Sequence, residues 1–99
     1  MENSIRWIVI QPDFKIGIEV AYGKVWVHCP TERKITPALG KHIRAAWGEV
    51  KHYLKTRGVP AVFAAFGKES PKGAMSLARA AGMHPVTGRG EYIVYGVML

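Results

Sequence analysis

Arg33 and Lys34 stand just ahead of Thr36-Pro37, and that grouping has a chemistry. Thr-Pro is a helix-start signal, with threonine as N-cap and proline at the first helical position. A helix start offers free N–H groups and a partial positive charge, so two cations beside it suit it to a phosphate. The same residues also make an ordinary capped helix with solvated cations, and Pro37 withdraws one donor. Between Arg33 and Arg57 seven cations face a single acid, Glu49. At helical spacing Lys41, Arg44, Lys51 and Lys55 fall in an arc of about 80°, with His52 beside them. That stripe is expected opposite the apolar face, either as a solvated helix back or as a docking surface for nucleic acid or an acidic protein. No aromatic residue interleaves with it, which argues against single-strand stacking there.

Other reactive residue types lead to less. The one cysteine, Cys29, excludes an intrachain disulfide and favours a reducing compartment. Nothing beside it in sequence supplies an oriented base, so it reads as a buried, inert thiol. The four histidines and Cys29 fall into no zinc spacing, and no metal is expected. Gly67-Lys68-Glu69-Ser70 lacks the glycine spacing of a nucleotide P-loop.

The elements that must position these residues follow from periodicity. Residues 5–10 read as a strand, broken by Gln11-Pro12-Asp13. Phe14, Ile16, Ile18 and Val20 alternate with Lys15, Gly17 and Glu19, a strand with one buried face. Ala21-Tyr22-Gly23-Lys24 reads as a tight hairpin turn, and residues 25–28 as the return strand. Leu39, Ile43, Ala46, Trp47, Val50 and Leu54 recur at spacings of three and four, so the helix from Thr36 carries one apolar face to a stop at Gly58. Residues 59–66 are nearly all apolar and read as a strand buried on both faces. Ser70-Pro71 repeats the helix-start signal, and Gly82 ends that second helix. His84-Pro85-Val86 leads out, Thr87-Gly88-Arg89-Gly90 reads as a turn, and 92–99 as a last strand. Trp47 belongs to the core. Trp7 or Trp26, if exposed beside the cationic helix, would anchor an interface.

The order β, β, β, α, β, α, β predicts an α/β (α+β) single domain over residues 1–99, a mixed twisted sheet of five to six strands with one long and one short helix. Ninety-nine residues hold one core and exclude multidomain and repeat architectures. Hydrophobic residues at 48% exclude a disordered basic tail, although 14 Lys+Arg against 7 Asp+Glu leave a net charge of +7. No signal peptide or membrane span is read, so a cytoplasmic location is expected.

One succession of residues resembles a known family. Arg33 to Ala38 gives Arg-x-x-Thr-x-Ala, then an amphipathic helix, a buried strand, and a helix opening at Ser70. Leu77-Ala78-Arg79-Ala80-Ala81-Gly82-Met83 closes it. Over residues 14–99 this order resembles the GNAT acyltransferase superfamily, and especially its shortened, phage-encoded relatives. The resemblance implies acetyl-CoA as cofactor, its pyrophosphate held by Arg33, Lys34, Thr36 and Ala38, with Ser70 where the family carries an Asn. It also implies a general base for the acceptor amine, for which Glu19 and His28 are the best-placed strand residues. Tyr53, Tyr92 and Tyr95 are candidate replacement acids; the structural reading stands beside these roles, with Glu19 on the polar face of a strand and the tyrosines as amphipathic packing. Thr36-Pro37 in place of the motif glycine, and Ala78 where the family often has tyrosine, depart from the pattern. Three functions follow. The first is a GNAT-like protein of weakened or lost chemistry that binds and modulates a protein partner, an acidic host protein if phage-encoded, through Lys41, Arg44, Lys51 and Lys55. The second is an active N-acyltransferase on a protein or small-molecule amine. The third is nucleic-acid binding by the basic helix. The apolar last strand leaves an edge-mediated homodimer open.

Overall fold

The structure, a computed structural model, describes residues 4–31, 34–67, 70 and 73–99. Six strands and two helices follow one another as β1 (Arg6–Ile10), β2 (Lys15–Ala21), β3 (Lys24–His28), α1 (Pro37–Thr56), β4 (Ala61–Phe66), α2 (Ala74–Ala80), β5 (His84–Arg89) and β6 (Tyr92–Met98). They form one mixed sheet in the order β1-β2-β3-β4-β6-β5. The β2–β3 hairpin turns on Tyr22 (φ 54°) and Gly23 (φ 71°). Two positive φ angles in succession match the twist of the flanking strands.

The helix signals act locally as the residue types dictate. The Thr36 hydroxyl accepts a hydrogen bond from the Leu39 N–H at 3.2 Å and caps α1. At the other end Gly58 takes φ 78°. Its N–H donates to the Lys55 carbonyl, and the Val59 N–H donates to the Leu54 carbonyl. That pair of bonds is a Schellman motif. Gly82 (φ 92°) repeats it after α2, with the Met83 N–H donating to the Ala78 carbonyl. Each motif turns the chain back so that the next residue enters the core.

The apolar face of α1 packs Leu39, Ile43, Trp47, Val50 and Leu54 against Phe14, Ile16 and Val62 of the sheet. A smaller cluster joins Ala78 and Met83 to Ala64 and Tyr95. Ala64 and Tyr95 are opposite each other in the ladder, so α2 packs on the same sheet face as α1. Trp47 Nε1 also donates to the Ala81 carbonyl at 3.3 Å, tying the two helices together. The other face, with Trp7, Gly17, Glu19, Trp26, His28 and Phe63, has no helix on it among the described residues.

Three expectations are corrected. Residues 84–89 are a strand rather than a lead-out and turn: they pair antiparallel with β6, with a register shift between Pro85 and Thr87. The bulge breaks the period-two pattern that would have marked a strand. The second helix begins at Ala74 after Gly73 (φ 92°), three residues past the Ser70-Pro71 signal, and spans 7 residues. The basic stripe is not opposite the apolar face. Its centre lies roughly 100° around the helix from the line of buried residues. It is on the flank of Gly40 and Trp47, the side that meets α2.

Candidate functional site

The sheet parts in its middle. β2 and β3 pair at five register positions and β4 and β6 at six, whereas parallel β3 and β4, although neighbours, are in ladder register only where Trp26 faces Phe63. Beyond that point lies a cleft of roughly 390 Å³. Its strand walls are Val27, His28 and Cys29 on one side and Ala64, Ala65 and Phe66 on the other. Ile43 and Trp47 of α1 with Leu77 and Ala78 of α2 roof it, and Ile5 and Trp7 line it from the open face. The site therefore sits at the carboxyl ends of two parallel strands, where a helix begins, the usual place for ligands in open α/β sheets.

Parting two strands leaves backbone donors and acceptors on the facing edges with no ladder partner. The cleft thus combines apolar side-chain walls with two hydrogen-bonding strand edges. A linear, mostly apolar chain carrying spaced amides satisfies both, and the pantetheine arm of a coenzyme A thioester has that chemistry. By this criterion the residues present fit the cofactor.

Glu19 and His28, chosen separately in the sequence, come together. Gly17 is opposite His28 and Glu19 is opposite Trp26, so Glu19 and His28 are diagonal neighbours on the open face. His28 Nε2 and Glu19 Oε1 are 2.8 Å apart, both side chains part-exposed, and His28 lines the cleft. A carboxylate accepting from Nε2–H fixes the ring tautomer and leaves Nδ1 as the proton acceptor.

The remaining candidates divide. Ser70 lines the cleft, its hydroxyl accepting from the Gly67 N–H at 3.0 Å. Arg44 lines it from α1, although the sequence put that residue with a partner surface. Lys34, Thr36 and Ala38 are exposed at the start of α1 and do not line the cleft, whose edge there is Ile35. The Thr36 hydroxyl is engaged in capping. Arg33 lies outside the described residues, as do Lys68, Glu69 and Pro71. Lys41 and Lys55 are exposed and Lys51 is half-buried.

None of the three candidate acids lines the cleft. Tyr95 is buried edge-on against Phe66, their ring centres 5.2 Å apart. Tyr92 is exposed, and Arg57 stacks over the Tyr53 ring at 4.0 Å. A hydrogen bond from Arg57 holds the Tyr53 phenol below its ordinary pKa. Cys29 lines the cleft, but burial pushes its thiol up to about 11, so it is a neutral wall.

Trp7 was unassigned in the sequence. A Cβ on Gly17 would lie 2.6 Å from both Trp7 Cε3 and Ile5 Cγ2. The glycine is what lets the indole lie on the sheet. A glycine inside an alternating strand often marks such a close approach, and Gly17 was the available signal. Trp7 is on the face away from α1, so it does not anchor an interface beside the basic helix. Among the described residues no three His, Cys, Asp or Glu side chains gather as metal ligands. No helix among them is long and apolar enough to cross a membrane.

Two solved structures share this fold. A domain from Methanocaldococcus jannaschii DSM 2661 superposes with a TM-score of 0.69 at 19% identity, over 92% of this chain and 59% of that one. A Sphaerobacter thermophilus DSM 20745 protein, described as a "putative acetyltransferase", superposes with a TM-score of 0.56 at 13% identity, over 89% of this chain and 61% of that one. The chain spans about three fifths of the length of each. No family model and no curated protein matches it. At these identities the likeness concerns the fold alone.

Proposed function

We propose that this domain binds the acyl-pantetheine end of an acyl-CoA, with acetyl-CoA the first candidate, and serves acyl transfer to a primary amine. The observation that carries the reading is the parted β3–β4 pair, which gives an apolar slot with free strand edges at the fork of an otherwise continuous sheet. Acyl-CoA supplies an acyl group activated as a thioester. The chain supplies the rest. Strand-edge groups of residues 27–29 and 64–66 would hold the amides of the arm, and Arg44 on the cleft wall would meet its anionic end, with Lys34 exposed nearby at the start of α1. His28, with Nε2 on Glu19, takes a proton from the acceptor amine at Nδ1 and passes the positive charge against the carboxylate.

A second reading keeps the binding and drops the turnover. Ala78 offers no hydroxyl in the cleft and no tyrosine lines it, which leaves water or the Ser70 hydroxyl to protonate the leaving sulfur. On that reading the basic flank, Lys41, Arg44, Lys51 and Lys55, docks an acidic protein, and acyl-CoA acts as a bound ligand. Nucleic acid on the same flank would show a steep loss of affinity with salt.

Calorimetric titration of acetyl-CoA into the full chain tests the proposal, with Arg33→Ala and Ala65→Trp as comparators. Ala65 is exposed at the cleft mouth, so an indole there blocks the slot without entering the core. Micromolar binding lost in Ala65→Trp supports the reading. No heat at millimolar ligand, or binding indifferent to Ala65→Trp, overturns it. Binding without transfer to any amine selects the second reading.

A further inference from the structure

The cleft has an asymmetry that the acyl-CoA reading does not use. Both helices roof one face of the sheet, so an acceptor amine reaches the parted strands from the other face, past Ile5, Trp7 and His28. A primary amine of the chain, Lys15, lies close by on that face, over the Trp7 ring that lines the cleft, although Lys15 does not line it itself. Lys15 opens β2, and its backbone N–H donates to the Pro30 carbonyl at 3.4 Å, while Gly17 two residues on is opposite His28. Lys15 therefore shares the open face with His28, one step along the ladder, a diagonal separation of about 7–8 Å between backbones. Its Nζ lies 5.0 Å from the centre of the Trp7 ring. The ring face attracts an ammonium electrostatically and keeps it near the wall that Trp7, His28 and Pro30 form together.

Resting on the acyl-CoA reading, we infer that Lys15 is the chain's own acyl acceptor, and that the Trp7 face selects flexible primary amines of the lysine type. As the free amine, Lys15 Nζ forms an N–C bond to the acyl carbon while the thioester C–S bond breaks. The sulfur leaves with the bonding pair and takes a proton from water. The proton shed by nitrogen goes to His28 Nδ1 and from there to the solvent, replacing the one the sulfur took. The products are an amide on Lys15 and the free thiol. Lys24 gives an internal contrast. Its Nζ lies 6.0 Å from the Phe63 ring on the same face, but it is opposite Ala21 at the far end of β3, and Phe63, unlike Trp7, does not line the cleft.

The full chain is incubated with acetyl-CoA and acetylation is mapped by peptide mass spectrometry. Lys15 is expected to carry most of the acetyl, ahead of Lys24, Lys41, Lys51 and Lys55. His28→Gln should slow it about 100-fold, and Trp7→Ala should lower the Lys15 share. A second measurement needs no turnover: CoA without an acyl group should slow the reaction of Lys15 with a small acylating reagent several-fold and leave Lys55 unchanged. If calorimetry shows acetyl-CoA binding but acetyl is spread evenly over the lysines, or Lys15 is neither modified nor shielded, the inference about Lys15 fails and the binding reading stands. If acetyl-CoA gives no heat, both fail.

Discussion

Raising the pH from 8 to 10 should weaken the fold through Cys29, by an amount its burial sets. The thiol has an ordinary pKa of 9.0, and burial pushes it up to about 11 in the folded chain. The folded state therefore favours the neutral thiol. That contribution is complete below pH 9 and is lost as pH rises through 11. At pH 10 an unfolded cysteine is about nine-tenths thiolate and the folded one about one-tenth, so the unfolding constant grows about tenfold, or about 1.4 kcal/mol. Other groups titrate in this range, so the readout is a difference. Urea unfolding followed by tryptophan fluorescence is compared at pH 8 and 10 for the natural chain and for Cys29→Ala. The natural chain should lose about 1.4 kcal/mol more than the variant. The same burial leaves about one hundredth as much thiolate at pH 8 as an exposed cysteine has, so iodoacetamide should react about 100-fold more slowly. Equal pH losses in the two proteins, or alkylation at the rate of a free thiol, would refute the argument. It would also reopen Cys29 as a nucleophile in the cleft.

Three further outcomes follow from single contacts. Thr36→Ala removes the α1 cap and should cost about 1 kcal/mol in denaturant unfolding, whereas Thr36→Ser should retain most of it. Leu54→Ala empties a site that is 1% exposed and should cost about 3–5 kcal/mol, which calorimetric melting would register as a large fall in Tm. Gly17→Ala drives a methyl into Trp7 and Ile5 and should cost about 1–3 kcal/mol. Its second signature is a change in tryptophan emission as the indole leaves the sheet; an unchanged spectrum would show that Trp7 does not depend on that glycine.

Where one residue type dictates backbone geometry, the fold was legible in the sequence. Thr36-Pro37 started α1, Gly58 and Gly82 stopped the helices, and Tyr22-Gly23 made the hairpin, because capping and positive φ are local properties. Strand β5 was hidden because a bulge beside Pro85 shifts its register, and a period-two reading fails when two residues oppose one. The second helix began late because Ser70 joins a turn with Gly67 instead of capping it: each N–H of the pair bonds the other residue, Ser70 N–H to the Gly67 carbonyl and Gly67 N–H to the Ser70 hydroxyl.

The site was legible only in pieces, since its geometry depends on strand order and register. Glu19 and His28 could each be named as bases from residue type and strand placement. Their meeting at 2.8 Å needed the ladder that sets Gly17 opposite His28. The cations show the converse. Four of them, Lys41, Arg44, Lys51 and Lys55, suggested a solvated helix back or a partner surface on the outer side of a helix, because a helical wheel fixes an arc but not what lies beside it. The contacts of Gly40 with Leu77 and of Trp47 with Ala81 turn that arc toward α2, and Arg44 into the cleft wall. The net charge of +7 is therefore not one signal. At Arg44 it bears on a ligand in the cleft, at Lys41 and Lys55 on whatever meets the exposed flank, and at Lys15 on the open face across the sheet. An Arg44→Gln change should weaken acyl-CoA binding, and Lys55→Gln should leave it untouched. If both variants weakened it equally, the flank would act as a diffuse field and the division drawn from the contacts would be wrong.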